Sequence, residues 1–507
     1  MARSELRIQY SGLIIFAAQI LSMFTGMAFI LLLTRNMTRP EYGTWSNIFD
    51  LTGYFLLFSG FVPFWATRFV ARGKEGATKT ALLANLTVAM VSAAIYVPLV
   101  PLITSGLHIS EAYNPVYILA SAQIITVYVV SVLESCLRAE KPQAIGYGLL
   151  IEEICKLSLA YVFIVRFQQL FLGAMLSLIL SASLQTCYYL KLLSKDLRMK
   201  IQWSYVREWL KGSVAIFYNA VGTQLTAFVF ILLLVYGSQA ARGDYQAAAT
   251  FAGIIGYSSS LAFALYPKLL AENSLKEITA SLKTVLMFAL PIATIIISMS
   301  QSLLTILNVS YREASQVLIL LSIDALITLL LQFYTFVLFG VEKLDEEAKI
   351  PLRRLVKSKM FKILTLPYIQ AAITLPTAFY ILTQYANQQP VQAAVYVVII
   401  NMVAHSAAFL LTYMVTRTSI RIVIPWRNIG KYVLSSMVTA AALYLLPHPT
   451  TLFATFAIVA AGAAVYATLL LAIDKDARRL VRSILQEIGL VPNATGSSHE
   501  INQTTEE

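Results

Sequence analysis

Five charged residues stand inside stretches that are otherwise apolar: Asp50, Glu152, Glu153, Lys156 and Asp324. A charge in hydrocarbon is costly, so such residues normally face a bundle interior or a water-filled space and mark a route for an ion or a polar substrate. Glu152 and Lys156 are four apart on one helical face, which makes them either a neutralising pair or part of a cavity. Asp324 has no oppositely charged neighbour in sequence; it is the first candidate for coupling to a proton or a sodium ion, with Asp50 the second. Asn401 and His405, one turn apart, suit an interhelical contact better than a ligand site. Gln19, Asn219 and Gln224 either line a cavity or glue helices together. Other chemistries lack their residues. There is no Gly-rich Lys motif to cradle a nucleotide phosphate and no acidic pair at metal-ligand spacing, so neither a cofactor nor catalysis is expected. Cys136, Cys155 and Cys187 sit in apolar runs without disulfide or metal spacing.

The elements that position these groups are membrane-spanning helices. The 507 residues are 58% hydrophobic and only 13% charged, with a mean hydropathy of +0.71. The apolar runs reach the roughly 20 residues a helix needs to cross about 30 Å of hydrocarbon, where every backbone polar group must find an internal partner. A transmembrane barrel would instead show shorter alternating segments. The first run, 9–34, is too long for a signal peptide and reads as a retained anchor. About 14 spans follow from hydropathy and breakers: 9–34, 44–71, 79–104, 114–137, 143–166, 168–193, 213–237, 244–270, 281–307, 314–341, 362–383, 392–416, 430–447 and 450–473.

The loops test this count independently. Of the 38 Lys and Arg residues, all but Arg35, Arg39, Arg166, Arg242, Arg312 and the mid-span Lys156 fall on one alternate set of loops. The positive-inside rule makes that set cytoplasmic and places both termini there. The net charge of +12 is therefore topogenic, and no nucleic-acid partner is expected. The two outer turns with an arginine before a tyrosine also repeat. Phe29-Ile30-Leu31-Leu32-Leu33 returns as Phe230-Ile231-Leu232-Leu233-Leu234, a step of 201, and Arg39-Pro40-Glu41-Tyr42 returns as Arg242-Gly243-Asp244-Tyr245, a step of 203. Lys79-Thr80 against Lys283-Thr284 and Glu140-Lys141 against Glu342-Lys343 keep the same order. Six spans per repeat is even, so the halves enter the bilayer with one polarity and are related by an axis along its normal. The expected fold is all-α: two six-helix lobes in parallel repeat plus two C-terminal helices. The lobes are 1–193 and 213–416, joined by an interfacial cytoplasmic linker at 194–212 bearing Trp203, Tyr205 and Trp209. The last two spans occupy 417–473, and 474–507 is a polar cytoplasmic tail.

Leu33-Thr34-Arg35 with Pro40-Glu41-Tyr42-Gly43, Ser59-Gly60-Phe61 with Thr67-Arg68-Phe69-Val70-Ala71, and Ala264-Leu265-Tyr266-Pro267-Lys268-Leu269 resemble the first turn, second helix and eighth helix of polysaccharide and O-antigen flippases of the MOP superfamily. That superfamily also holds lipid II flippases and MATE drug exporters. The resemblance implies alternating access by two lobes in the cell membrane and a polyprenyl-phosphate-linked glycan as substrate. Membrane lipids surround it, and glycosyltransferases or a polymerase of the same pathway are expected partners. Arg35, Arg68 and Lys268 become candidates for phosphate contact, with Arg68 and Lys268 equally explained as snorkelling cations at helix ends. The alternative is a MATE-like exporter of small organic cations, which would favour a carboxylate-rich cavity.

Overall fold

The computed structural model describes residues 2–259, 275–342, 358–386, 389–420 and 422–487. Helices account for nearly all of them, and no strand occurs among the described residues. The first lobe contains α1 (Ala2–Asn36), α2 (Arg39–Phe55), α3 (Phe61–Ala71), α4 (Ala77–Gly106), α5 (Asn114–Glu140), α6 (Gln143–Ala160) and α7 (Leu170–Leu192). After the linker helix α8 (Trp203–Gly212), the second lobe contains α9 (Val214–Leu232), α10 (Gln239–Gly256), α11 (Leu275–Ser298), α12 (Ser300–Leu307), α13 (Ser315–Glu342), α14 (Lys359–Leu364), α15 (Leu366–Tyr385) and α16 (Pro390–Arg417). The helices α17 (Trp426–Leu445), α18 (Leu452–Ile473) and α19 (Lys475–Glu487) follow.

Nine helices among the described residues are long and apolar enough to cross a membrane unaided. Of the other expected crossings, those in α2–α3, α6, α10 and α17 carry charges or breaks that dilute their hydropathy, α1 is apolar over Leu21–Asn36, and residues 260–270 of the span expected at 244–270 lie outside the described residues. The expected span 44–71 is in fact two helices, interrupted at 56–60, where Ser59-Gly60 offers the weakest helix propensity in the segment. Span 281–307 divides at Met299, and span 362–383 divides at Thr365, two residues before Pro367, which opens α15 where its missing N–H costs nothing. Residues 475–487 of the polar C-terminal segment form α19.

The repeat is visible in the packing. In the first lobe α1 lies on α6, α4 on α5, α6 on α7 and α5 on α7; in the second, α9 lies on α15, α11 on α13, α15 on α16 and α13 on α16. The chemistry at equivalent places differs. Between α1 and α6 the glue is polar, whereas between α9 and α15 it is aromatic: Tyr218 and Tyr368 stack with centroids 4.5 Å apart, and the Tyr368 hydroxyl donates to the Tyr218 carbonyl at 2.7 Å. The linker helix docks on the first lobe. Trp209 is buried edge-on against Phe69, while Trp203 stays exposed, so only part of its aromatic face is free for the membrane interface.

Candidate functional site

The repeated turns start α2 and α10, and these two helices make the most extensive contact between the lobes among the described residues. They cross at Gly43 and Gly243. A Cβ on Gly43 would lie 1.8 Å from the Gln239 carbonyl oxygen, and one on Gly243 would lie 2.2 Å from that of Arg39. Only residues without a side chain permit so close an approach. Two bidentate ion pairs bracket the crossing. From the first lobe, Arg39 Nε donates to Asp244 Oδ1 at 2.7 Å and Nη2 to Oδ2, while Nη1 donates to the exposed Glu313 at 3.1 Å. From the second, Arg242 Nε and Nη2 donate to Asp50 at 2.8 and 2.9 Å, with the Phe230 ring 4.7 Å from the guanidinium. Fork-to-fork geometry adds orientation to charge, so each pair fixes the angle as well as the distance between lobes.

The repeat is not copied faithfully here, for a local reason. Glu41 occupies the place in α2 that Asp244 holds in α10, but its carboxylate closes a capping box, accepting from the Thr38 backbone N–H and hydroxyl at 2.8 Å each. Arg242 therefore reaches deeper, to Asp50. Beside the crossing, Arg35 Nε and Nη2 both donate to the Ile306 carbonyl at 3.2 Å, capping the last turn of α12, where carbonyls lack helical partners and a cation suits the helix dipole. Gln224 packs against Gly53 and donates to the Asp50 carbonyl at 3.4 Å.

At the opposite end, where the basic loops lie, the lobes do not meet in this way. Among the described residues α3 packs mainly on α4, α5 and the linker helix, and meets the second lobe only lightly, through the Phe61 ring 5.9 Å from Phe217 of α9 and through Trp65 Nε1, which donates to Ser213 at 2.9 Å. Arg68 lies over the Phe64 ring at 3.7 Å and donates to the Phe64 carbonyl at 3.1 Å. Lys268 lies outside the described residues.

Within the lobes the buried charges are matched. Lys156 pairs at 2.7 Å with Glu153, three positions away, rather than with Glu152 as the four-residue spacing suggests. Glu153 also accepts from Ser22 and Thr25 of α1 at 2.7 and 2.6 Å, and these α1 hydroxyls explain why Glu153 takes the inward position and Glu152 is left half-buried. Asp324, which lacks a sequence neighbour, has a spatial one: His405 Nδ1 lies 2.8 and 3.0 Å from its two oxygens, bridging α13 and α16. The equivalent helices of the first lobe, α5 and α7, hold Glu134, which accepts from Gln185 and Tyr189 at 3.2 and 3.1 Å. Sequence reading passed over Glu134; its place near the end of an apolar span, with Tyr and Gln in an adjacent one, was the available signal. Gln19 is exposed on α1 and Asn219 half-buried on α9, and neither joins these clusters.

No protein-family model and no curated protein sequence matches the chain. Solved structures do. The lipid II flippase MurJ in an inward closed conformation superposes with a TM-score of 0.66 at 13% identity, over 93% of this chain and 100% of that one. An inward-facing MATE-family multidrug resistance transporter of the MOP superfamily gives 0.60 at 12% identity, over 78% and 95%. A MOP superfamily transporter from Pyrococcus furiosus, described by the reversed polarity of its binding pocket, gives 0.54 at 15%, over 82% and 96%. The fold is thus that of MOP superfamily transporters.

Proposed function

We propose that the chain is a flippase that carries a polyprenyl-phosphate-linked oligosaccharide from the cytoplasmic to the outer leaflet of the cell membrane by alternating access. Both termini are cytoplasmic in this reading, and the short-loop end, clamped by Arg39, Asp50, Arg242 and Asp244, is the closed outer gate. The observation that carries the choice of a lipid-linked substrate is the extent of the structural likeness. The lipid II flippase aligns with 93% of the chain, the MATE transporter with 78%. The two helices beyond the twelve of the repeat, α17 and α18, pack on the second lobe through α11 and expose large apolar side chains such as Leu445 and Phe453, a surface suited to a long prenyl chain. Arg35 and Arg68 are the phosphate-facing candidates, and glycosyltransferases or a polymerase supply and consume the cargo. As a transporter the chain performs no covalent chemistry.

One observation favours the second reading, a MATE-like exporter of organic cations. In the first lobe Glu134, Glu152 and Glu153 are offset by Lys156 alone, which leaves an acidic balance. Reconstitution separates the two. Proteoliposomes holding the pure protein are expected to translocate a fluorescent lipid-linked oligosaccharide; transport of an organic cation with no movement of the lipid would replace this reading by the other.

A further inference from the structure

A cavity of about 220 Å³ opens at the basic-loop end of the second lobe, away from the crossing of α2 and α10, and is lined by Tyr334, Tyr413, Arg417, Ile420 and Ile422. Tyr334 of α13 and Tyr413 of α16 meet edge-on with centroids 5.5 Å apart, backed by Phe409 at 5.8 Å from Tyr334. Arg417 stands one turn beyond Tyr413. Ile420 and Ile422 come from the strap between α16 and α17. That strap is pinned on both sides: Lys359 Nζ donates to Ser419 Oγ at 2.7 Å, and Thr279 Oγ1 donates to the Val423 carbonyl at 3.2 Å. The cavity is therefore built into the lobe rather than left by a loose loop.

Its polar groups are unmatched. Tyr334 is only 4% exposed, yet among the described residues neither its hydroxyl nor that of Tyr413 has a hydrogen-bond partner, and the exposed Arg417 guanidinium has no ion pair. Tyr413 is half-buried and Arg417 exposed, so these groups face the cavity mouth where a ligand can reach them. None of the five lining residues carries an acid, so the site presents a fork of guanidinium donors and two hydroxyls to an acceptor-rich anion. The volume is below the roughly 300 Å³ of pockets that enclose a whole drug-sized ligand, which suits a headgroup rather than a complete lipid. Two isoleucines complete the wall on the strap side and offer an apolar face to carbon adjoining the anion.

We propose that this cavity binds the phosphoester headgroup of a lipid from the leaflet at the basic-loop end, with Arg417, Tyr334 and Tyr413 on the phosphate oxygens and Ile420 and Ile422 against the adjoining carbons. Two lipids share that chemistry, an anionic bilayer phospholipid and a polyprenyl phosphate. The site does not depend on the flippase reading, because its test measures binding alone. The full-length protein in detergent is titrated with phosphatidylglycerol, polyprenyl monophosphate, diacylglycerol and inorganic phosphate, and bound lipid is counted by native mass spectrometry. At least one of the two phosphoester lipids is expected to bind, and Arg417→Gln is expected to weaken it at least tenfold. Binding of phosphatidylglycerol alone assigns the source to the bilayer, and binding of polyprenyl phosphate alone assigns it to a carrier lipid. Tyr334→Phe with Tyr413→Phe, which keeps both rings in place, is expected to weaken binding by several-fold and serves if Arg417→Gln does not fold. Equal retention of diacylglycerol, equal affinity for inorganic phosphate, or unaltered lipid binding in these variants overturns the proposal.

Discussion

At the short-loop end two helices cross backbone to backbone, with glycine against carbonyl and two guanidiniums gripped by two carboxylates. At the basic-loop end α3 packs mainly on its own lobe, touches α9 through Phe61 and Phe217, and no ion-pair clamp exists there among the described residues. The contrast teaches how one fold can hold one side shut without freezing the other. Steric contact at Gly43 and Gly243 leaves no slack, and charge pairs set the angle, but both act only within a few residues of the crossing. Everything beyond the break at 56–60 is free of them.

The sharpest way to break this comparison is to add one carbon. Gly43→Ala places a methyl where the Gln239 carbonyl oxygen is 1.8 Å away, so the crossing must separate. Spin labels at the exposed Asn36 and Ser310 should then report a longer distance, and an unchanged distribution would contradict the assignment of the closed end. Next in size is Arg242→Ala. It leaves Asp50 enclosed without its partner, a loss of about 3–5 kcal/mol in the closed arrangement. Arg39→Ala strips the partner from Asp244, whose side chain is 0% exposed although Arg39 itself is 18% exposed, so a comparable loss of about 3–5 kcal/mol is expected. The same spin-label distances should lengthen comparably in the two variants, and an effect confined to one of them would show that a single pair holds the clamp.

Function gives two smaller tests. Arg35→Ala with Arg68→Ala should lower glycan translocation severalfold while membrane insertion, followed by protease protection, is unaltered; full transport by the double variant removes phosphate contact from these residues. Asp324→Asn should abolish dependence on a proton or sodium gradient, because it deprives His405 of its carboxylate. Glu134→Gln, whose partners are neutral, should leave that dependence intact. Identical behaviour of the two variants would remove the coupling role of Asp324.

The smallest effect is at the far rim of the basic-loop end. Lys283, hydrogen-bonded to Asp476 at 3.1 Å, holds that carboxyl below its ordinary value of 3.8. A depressed acid stabilises above its unfolded value and loses that contribution as pH falls through the lowered one, so α19 should loosen from α11 only below about pH 4. Hydrogen exchange in α19 at pH 3 and pH 6 would detect it. Looser packing at the higher pH would reverse the sign.

The number of crossings and the repeat were legible because each rests on local patterns: apolar length and charge alternation between loops. Partners across the bundle were not. Asp324 and His405 are 81 positions apart, and hydropathy does not say which helices are neighbours. The choice of Glu153 over Glu152 turned on Ser22 and Thr25 of another helix. The repeated arginines were noticed as landmarks, but that each reaches into the other lobe follows from the crossing, which no spacing reveals. The cavity at Arg417 depends on a strap whose path no periodicity describes.

Because Glu41 is spent on Thr38, the duplicated arginines have ceased to be equivalent. In the outer pair the cation keeps an exposed edge, Arg39 at 18% against 0% for Asp244, whereas in the inner pair it is the carboxylate, Asp50 at 11% against 4% for Arg242. Opening that starts at Arg39, the most exposed of the four charges, would run inward, and reclosure along the same path would seat the inner pair of Arg242 and Asp50 first and the outer pair last.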